Sequence, residues 1–213
     1  MKTPGLVAIG IVAVAAGAAL YVYRQQSLTT PEPAPVVESP PAQLVKTLPE
    51  FQLADRDGQL RSLADWPDKA LIVNFWATWC APCRREIPLL QQLQRDHGPE
   101  GFQVIGVAVD FRDKVLAYAD EMQIEYPLLI GEQEALDAAA AFGVEAVGFP
   151  FTVFSVRQGR IVTAHMGELT AGQAGLILAA VRKVNSGLAT PEAVRADLAS
   201  ALARLPASPA DGG

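Results

Sequence analysis

Asn74-Phe75-Trp76-Ala77-Thr78-Trp79-Cys80-Ala81-Pro82-Cys83-Arg84-Arg85-Glu86-Ile87-Pro88 is the stretch of this 213-residue chain from which the rest can be read. It holds the only two cysteines, spaced C-x-x-C, where an apolar strand-like run gives way to a helical pattern. Two residues at i and i+3 in the first turn of a helix lie about 5.5 Å apart at Cα, a separation a disulfide bridges with little strain. The pair can therefore be dithiol or disulfide. A disulfide closing so short a loop removes little unfolded-state entropy, so it suits switching better than holding. Cys80 falls at the helix start, where orphan N–H groups and the positive end of the macrodipole favour a thiolate, and Arg84 and Arg85 add cationic field. This makes Cys80 the expected nucleophile and Cys83, one turn further in, the resolving thiol. Pro82 suits the first helical turn, where its missing N–H has no partner to lose. Two cysteines are too few for a structural zinc site, and His97 and His165 show no ligand spacing.

With those residues in hand, the stretch resembles the active-site signature of thioredoxin-like proteins. It is similar in particular to the membrane-anchored TlpA/ResA branch of periplasmic thiol-disulfide oxidoreductases. The resemblance runs from about Phe51 to about Leu178. It implies a protein-disulfide reductase whose only redox group is the Cys80–Cys83 pair, with no separate cofactor and no metal.

Upstream, an uncharged apolar run of about 19 residues from Gly5 is long enough to span a bilayer as a helix. Tyr21 and Tyr23 sit where an interfacial aromatic belt would lie. Residues 1–24 are accordingly expected to be a membrane anchor. A cleaved signal sequence is the alternative, because Ala16-Gly17-Ala18 is an A-x-A site after an apolar core. Residues 25–46 are rich in Pro, Glu, Thr and Ser, a composition that cannot bury a core and reads as an extended tether.

The expected globular domain covers residues 47–186. Asp57-Gly58 marks a hairpin between Phe51–Leu53 and Leu60–Leu63. Ala70–Trp76 and Phe102–Val109 read as strands covered on both faces. The helix after Cys80 carries Ile87, Leu90 and Leu93 at core spacing, with Pro88 predicted to kink it. Helices are expected over Lys114–Met122, Glu134–Phe142 and Ala171–Val184. A short extended segment is expected over Pro127–Ile130, and a hairpin joins Phe151–Val156 to Ile161–Met166. This order gives an α/β domain with a central mixed sheet flanked by helices. It agrees with the thioredoxin-like fold that the resemblance implies, and Asp110–Ala146 looks like the insertion of the TlpA/ResA branch. Thr190-Pro191-Glu192 opens a C-terminal helix within residues 187–206, whose role the sequence does not reveal, and residues 207–213 read as a disordered tail.

A net charge of −6 provides no cationic surface of the kind that binds nucleic acid. A single C-x-x-C carries two electrons and no nucleotide fingerprint accompanies it, so an external thiol donor must re-reduce it. By resemblance that donor is a transmembrane thiol transporter. The domain would then face the periplasm from a single-pass anchor in the inner (cytoplasmic) membrane. Its clients would be protein disulfides, including apocytochrome c thiols or copper-site cysteines. A binding or holdase module without redox turnover is the alternative from another class. A peroxiredoxin-type thiol peroxidase is a third reading, although that family calls for Thr three residues before the nucleophile and position 77 is Ala.

Val147-Gly148-Phe149-Pro150-Phe151-Thr152-Val153 matches the family segment whose proline is cis and lies against the C-x-x-C. The resemblance thus implies a cis Phe149–Pro150 bond, with Trp79, Phe149 and Pro150 contacting clients. Thioredoxin places a buried Asp in the strand leading to its C-x-x-C, and the matching residue here is Asn74. Another base must take the Cys83 proton. Asp110 is the expected one, at the carboxyl edge of the Phe102–Val109 strand where α/β sites form, with a helix cap as its other reading. Glu86, a supporting residue of the motif with Pro82 and Pro88, is expected to face solvent or to balance Arg84 and Arg85.

Overall fold

The computed structural model describes residues 44–143 and 148–205. Their seven strands are β1 (Leu53–Ala54), β2 (Leu60–Arg61), β3 (Ala70–Trp76), β4 (Phe102–Val109), β5 (Leu128–Gly131), β6 (Phe151–Ser155) and β7 (Ile161–Met166). Five α-helices accompany them: α1 (Ala81–His97), α2 (Arg112–Glu121), α3 (Gln133–Ala140), α4 (Ala171–Asn185) and α5 (Pro191–Leu202). The strands form one mixed sheet in the order β2-β1-β5-β4-β3-β6-β7. Pairing is parallel across β3, β4 and β5 and antiparallel elsewhere.

All seven residues of β3 are buried, because it runs through the sheet with apolar layers on both faces. Its alternating side chains divide between two cores. Ile72 and Trp76 face α1, α2, α4 and α5 together with Cys83, Ile87 and Leu90. Val73 and Phe75 face α3, Phe142 and the segment entering the domain. Phe75 stacks on Phe151, with ring centroids 4.4 Å apart.

Several boundaries differ from the sequence expectation for local reasons. Lys46, expected in the tether, accepts from the Ile161 N–H at 2.8 Å, and the Val45 N–H donates to Phe142 O. The chain is therefore tied to the domain from at least Val45. Pro88 lies on the exposed side of a helix that runs unbroken from Ala81 to His97. The hairpin at Asp57-Gly58 forms as expected, with the Asp55 carboxylate accepting the Asp57 and Gln59 N–H groups at 2.9 Å and Gly58 at φ 81°. The expected anchor, most of the tether and the tail lie outside the described residues, as does Val147. Among the described residues no helix is long and apolar enough to cross a membrane.

Candidate active site

β3 delivers the chain to the N-terminus of α1, and Cys80 occupies the N-cap position there. Its backbone is extended, and its Sγ accepts the Cys83 N–H at 3.3 Å, so an orphan donor of the first turn points at the sulfur. Cys80 and Cys83 are joined as a disulfide with Cα atoms 5.3 Å apart. Both cysteines are buried, Cys83 fully and Cys80 with 5% exposure, so Cys80 is the less enclosed of the two. Ala77, three residues before Cys80, is fully buried and offers no hydroxyl.

Glu86 does not face solvent, and it does not balance the arginines. It is 1% exposed and shares the inward stripe of α1 with Cys83, Ile87, Leu90 and Leu93. Asn74 Nδ2 donates to its Oε1 at 2.6 Å, and the Leu169 N–H donates to its Oε2 at 2.8 Å. Burial outweighs both donors and pushes the carboxyl up to about 7, with nearby Glu168 adding to the rise. Arg85 is exposed and pairs with Glu168 at 2.6 Å. The spacing Cys83, Glu86, Ile87, Leu90 is a 3.6-residue stripe, so periodicity did carry a signal for burial that charge alone obscures.

Asp110 is 7% exposed and follows β4, as expected. Its Oδ2 accepts a hydrogen bond from Thr78 Oγ1, and its Oδ1 accepts the Phe111 N–H at 2.8 Å. The link to Thr78 ties the end of β4 to the turn that carries Cys80. The cap position of α2 falls to Phe111 and has no side-chain cap bond. Asn74 also donates to Thr152 Oγ1 at 2.9 Å, joining β3 to β6 beneath α1.

The Phe149–Pro150 bond is cis, and Pro150 O accepts the Gly167 N–H at 2.8 Å. Antiparallel pairing of Phe75 with Phe151 puts this segment beside the end of β3, where the chain turns toward Cys80. Trp79 is 67% exposed and meets the half-buried Phe149 edge-on, with centroids 6.1 Å apart. Phe149 in turn stacks parallel to Phe151 at 6.5 Å. Trp79 and Phe149 therefore form one partly exposed apolar ledge next to the turn that carries Cys80, with Pro150 buried behind it.

Residues 45–164 match the model of the AhpC/TSA family. Thioredoxin-like protein YneN of Bacillus subtilis (strain 168) is 32% identical over 57% of this chain and 71% of its own. Thiol-disulfide oxidoreductase ResA of Geobacillus thermodenitrificans (strain NG80-2) is 30% identical over 58% and 70%. The chain belongs to the AhpC/TSA family, in its ResA-like thiol-disulfide oxidoreductase branch. Solved structures agree on a thioredoxin-like fold. A thiol:disulfide interchange protein of the thioredoxin family from Chlorobium tepidum TLS is 32% identical with a TM-score of 0.52, covering 61% of this chain and 90% of that one. A DsbF homologue from Corynebacterium diphtheriae is 25% identical with a TM-score of 0.56, covering 71% and 98%. Family and fold make this ResA-like protein a thiol-disulfide oxidoreductase.

Proposed function

We propose that this ResA-like protein reduces disulfides in protein clients through Cys80 and Cys83, with Glu86 as the base for the second step. The observation that carries the reading is a carboxyl with a pKa near 7 buried one helical turn beyond the enclosed Cys83. In the reduced protein, the Cys80 thiolate attacks one client sulfur and expels the other as a client thiolate. Glu86 takes the Cys83 proton. The Cys83 thiolate then attacks Cys80 Sγ and expels the second client sulfur, so the client gains two electrons as the Cys80–Cys83 disulfide forms. Glu86 returns its proton to a departing thiolate.

Trp79, Phe149 and Pro150 would receive the apolar flank of the client disulfide. Asp110 would act through Thr78, holding the turn before Cys80, rather than on a thiol. Ala81-Pro82 between the cysteines resembles the Gly-Pro of reducing thioredoxins, which supports the reductive direction. A membrane dithiol donor would re-reduce the pair, and residues 1–24 would hold the domain at the periplasmic face of the inner membrane. Clients would include proteins whose cysteines later bind haem or copper.

Cys83→Ser removes the resolving thiol and should accumulate Cys80 mixed disulfides that electrophoresis and mass spectrometry identify, while Cys80→Ser should form none. Equal activity of Cys80→Ser and the unaltered protein would reduce the chain to a binding module. Equilibration with glutathione buffers tests direction, and a potential near that of strong disulfide oxidants would remove the reductase reading.

A further inference from the structure

Gly167, Glu168 and Leu169 leave the end of β7 toward α4, and each is bonded to a different part of the site. The Gly167 N–H donates to Pro150 O at 2.8 Å, with Gly167 at φ 87°. Glu168 Oε2 accepts from Arg85 Nε at 2.8 Å and from Arg85 Nη2 at 2.6 Å. The Leu169 N–H donates to Glu86 Oε2 at 2.8 Å.

Arg85 and Glu86 are neighbours on α1, as Glu168 and Leu169 are neighbours in the loop. The loop therefore meets the helix in two adjacent steps, an ion pair at the surface and a hydrogen bond to a buried carboxyl beneath it. An N–H donor favours the charged form of the carboxyl it serves. Glu86 takes one such donor from Asn74 Nδ2 and one from the Leu169 N–H. Asn74 is locked in the middle of the sheet, paired on both sides and bonded also to Thr152 Oγ1. Leu169 lies beyond the last ladder residue of β7, so its N–H is placed by what grips the loop. Gly167 ties one end to Pro150, and the Thr170 cap of α4 ties the other. Between them, the Glu168 side chain grips α1.

We infer that Glu168 is a positioning residue for the base: its ion pair with Arg85 holds the Leu169 N–H on Glu86 Oε2, where it steadies the carboxylate that accepts the Cys83 proton. The loop donor opposes the burial that lifts the Glu86 pKa, whereas the Glu168 charge adds to the lift, so loss of Arg85 raises it by both routes. Other ionisable groups near the carboxyl are Cys83 one turn earlier on α1, Tyr126 before β5, and His165 on β7, whose Nε2 meets Glu168 O at 3.3 Å. An ion pair this exposed holds a loop only modestly, which sets the size of the effect.

The kinetic consequence rests on Glu86 as the base of the proposed function, and the test reads loop and base separately. Glu168-Leu169 is the one Glu-Leu step in the chain, so carbon-13 on glutamate carbonyls and nitrogen-15 on leucine single out its amide by NMR of the full chain in detergent. The Leu169 amide proton should move with pH around a midpoint near 7, and Glu86→Gln should abolish that movement. In Arg85→Ala the movement should shrink by about half and its midpoint rise by about half a pH unit. Mixed-disulfide resolution in Arg85→Ala should slow about twofold at pH 7 and recover at higher pH, and the swapped pair Arg85→Glu with Glu168→Arg should restore it. In a Glu86→Gln background, Arg85→Ala should leave the resolution rate unaltered. An amide movement in Arg85→Ala as large as in the unaltered protein overturns the inference, and so does a swapped pair as slow as Arg85→Ala. A reduced amide movement, with a resolution rate that Glu86→Gln leaves intact, upholds the positioning of Leu169 and overturns the base role instead.

Discussion

A carboxyl whose pKa burial raises to about 7 changes both chemistry and stability. Glu86 stands near 7 in the folded chain against an ordinary value near 4.5. Its folded pKa is raised, so its contribution to stability is fully present below the unfolded value and is lost as pH rises through the folded one. Unfolding free energy should therefore fall by about 3 kcal/mol from pH 4.5 to pH 7, relative to Glu86→Gln. Denaturant titrations of both proteins across that window measure the difference, and parallel curves would contradict it. Burial also depresses the His165 pKa, which acts with the opposite sign as pH falls, so the comparison with Glu86→Gln is needed to isolate the carboxyl. In stopped-flow resolution assays near pH 7, Glu86→Gln should be slower on the order of a hundredfold, as loss of a general base implies. Asp110→Asn should change that rate far less, because both Asp110 oxygens are engaged by Thr78 and Phe111. The reverse ranking would assign the proton to Asp110.

At the scale of elements, α5 acquires a role its sequence does not announce. Thr190 caps it through the Ala193 N–H, and Val194 and Leu198 are buried against the core that also holds α4. Arg195 reaches the outermost strand, donating from Nη2 to Ile161 O at 2.6 Å and from Nε to Val162 O at 3.0 Å. β7 ends the sheet, and a strand with unpaired carbonyls at an edge invites pairing with other chains. Arg195 thus closes part of that edge with a charged fork. Arg195→Ala should cost about 2 kcal/mol by chemical denaturation and increase association at high concentration, while thiol exchange stays unchanged. A variant as stable and as monomeric as the unaltered protein would limit α5 to covering apolar surface. α1 shows a comparable contrast between position and residue type. Pro88 sits inside it on the solvent side, and the helix remains continuous to His97.

For the whole molecule, the described residues supply one seven-stranded sheet with a core on each face, so the redox domain should fold without the N-terminal segment. A chain lacking residues 1–43 should remain soluble and reduce a small disulfide at the rate of the full chain. The full chain should sediment with membranes and require detergent. Recovery of the full-length gene product in the soluble fraction, with its N-terminus beginning after Ala18, would instead identify a cleaved signal sequence. Sequence by itself determined what depends on neighbours along the chain. Period-two and period-3.6 patterns located the strands and helices, Asp57-Gly58 the hairpin, and the C-x-x-C at a helix start the exchanging sulfurs. It stopped short of features that join distant residues. The Leu169 N–H meets Glu86 across 83 positions, and Arg195 reaches Ile161 across 34. Trp76, Gly106 and Tyr126 meet only because β3, β4 and β5 lie side by side in the sheet. A residue's charge describes its cost in water, whereas its role follows from the donors that surround it once water has been excluded. Only tertiary structure determines those surroundings, and that is why Glu86 reads as a surface acid in the sequence and as a buried one in the fold.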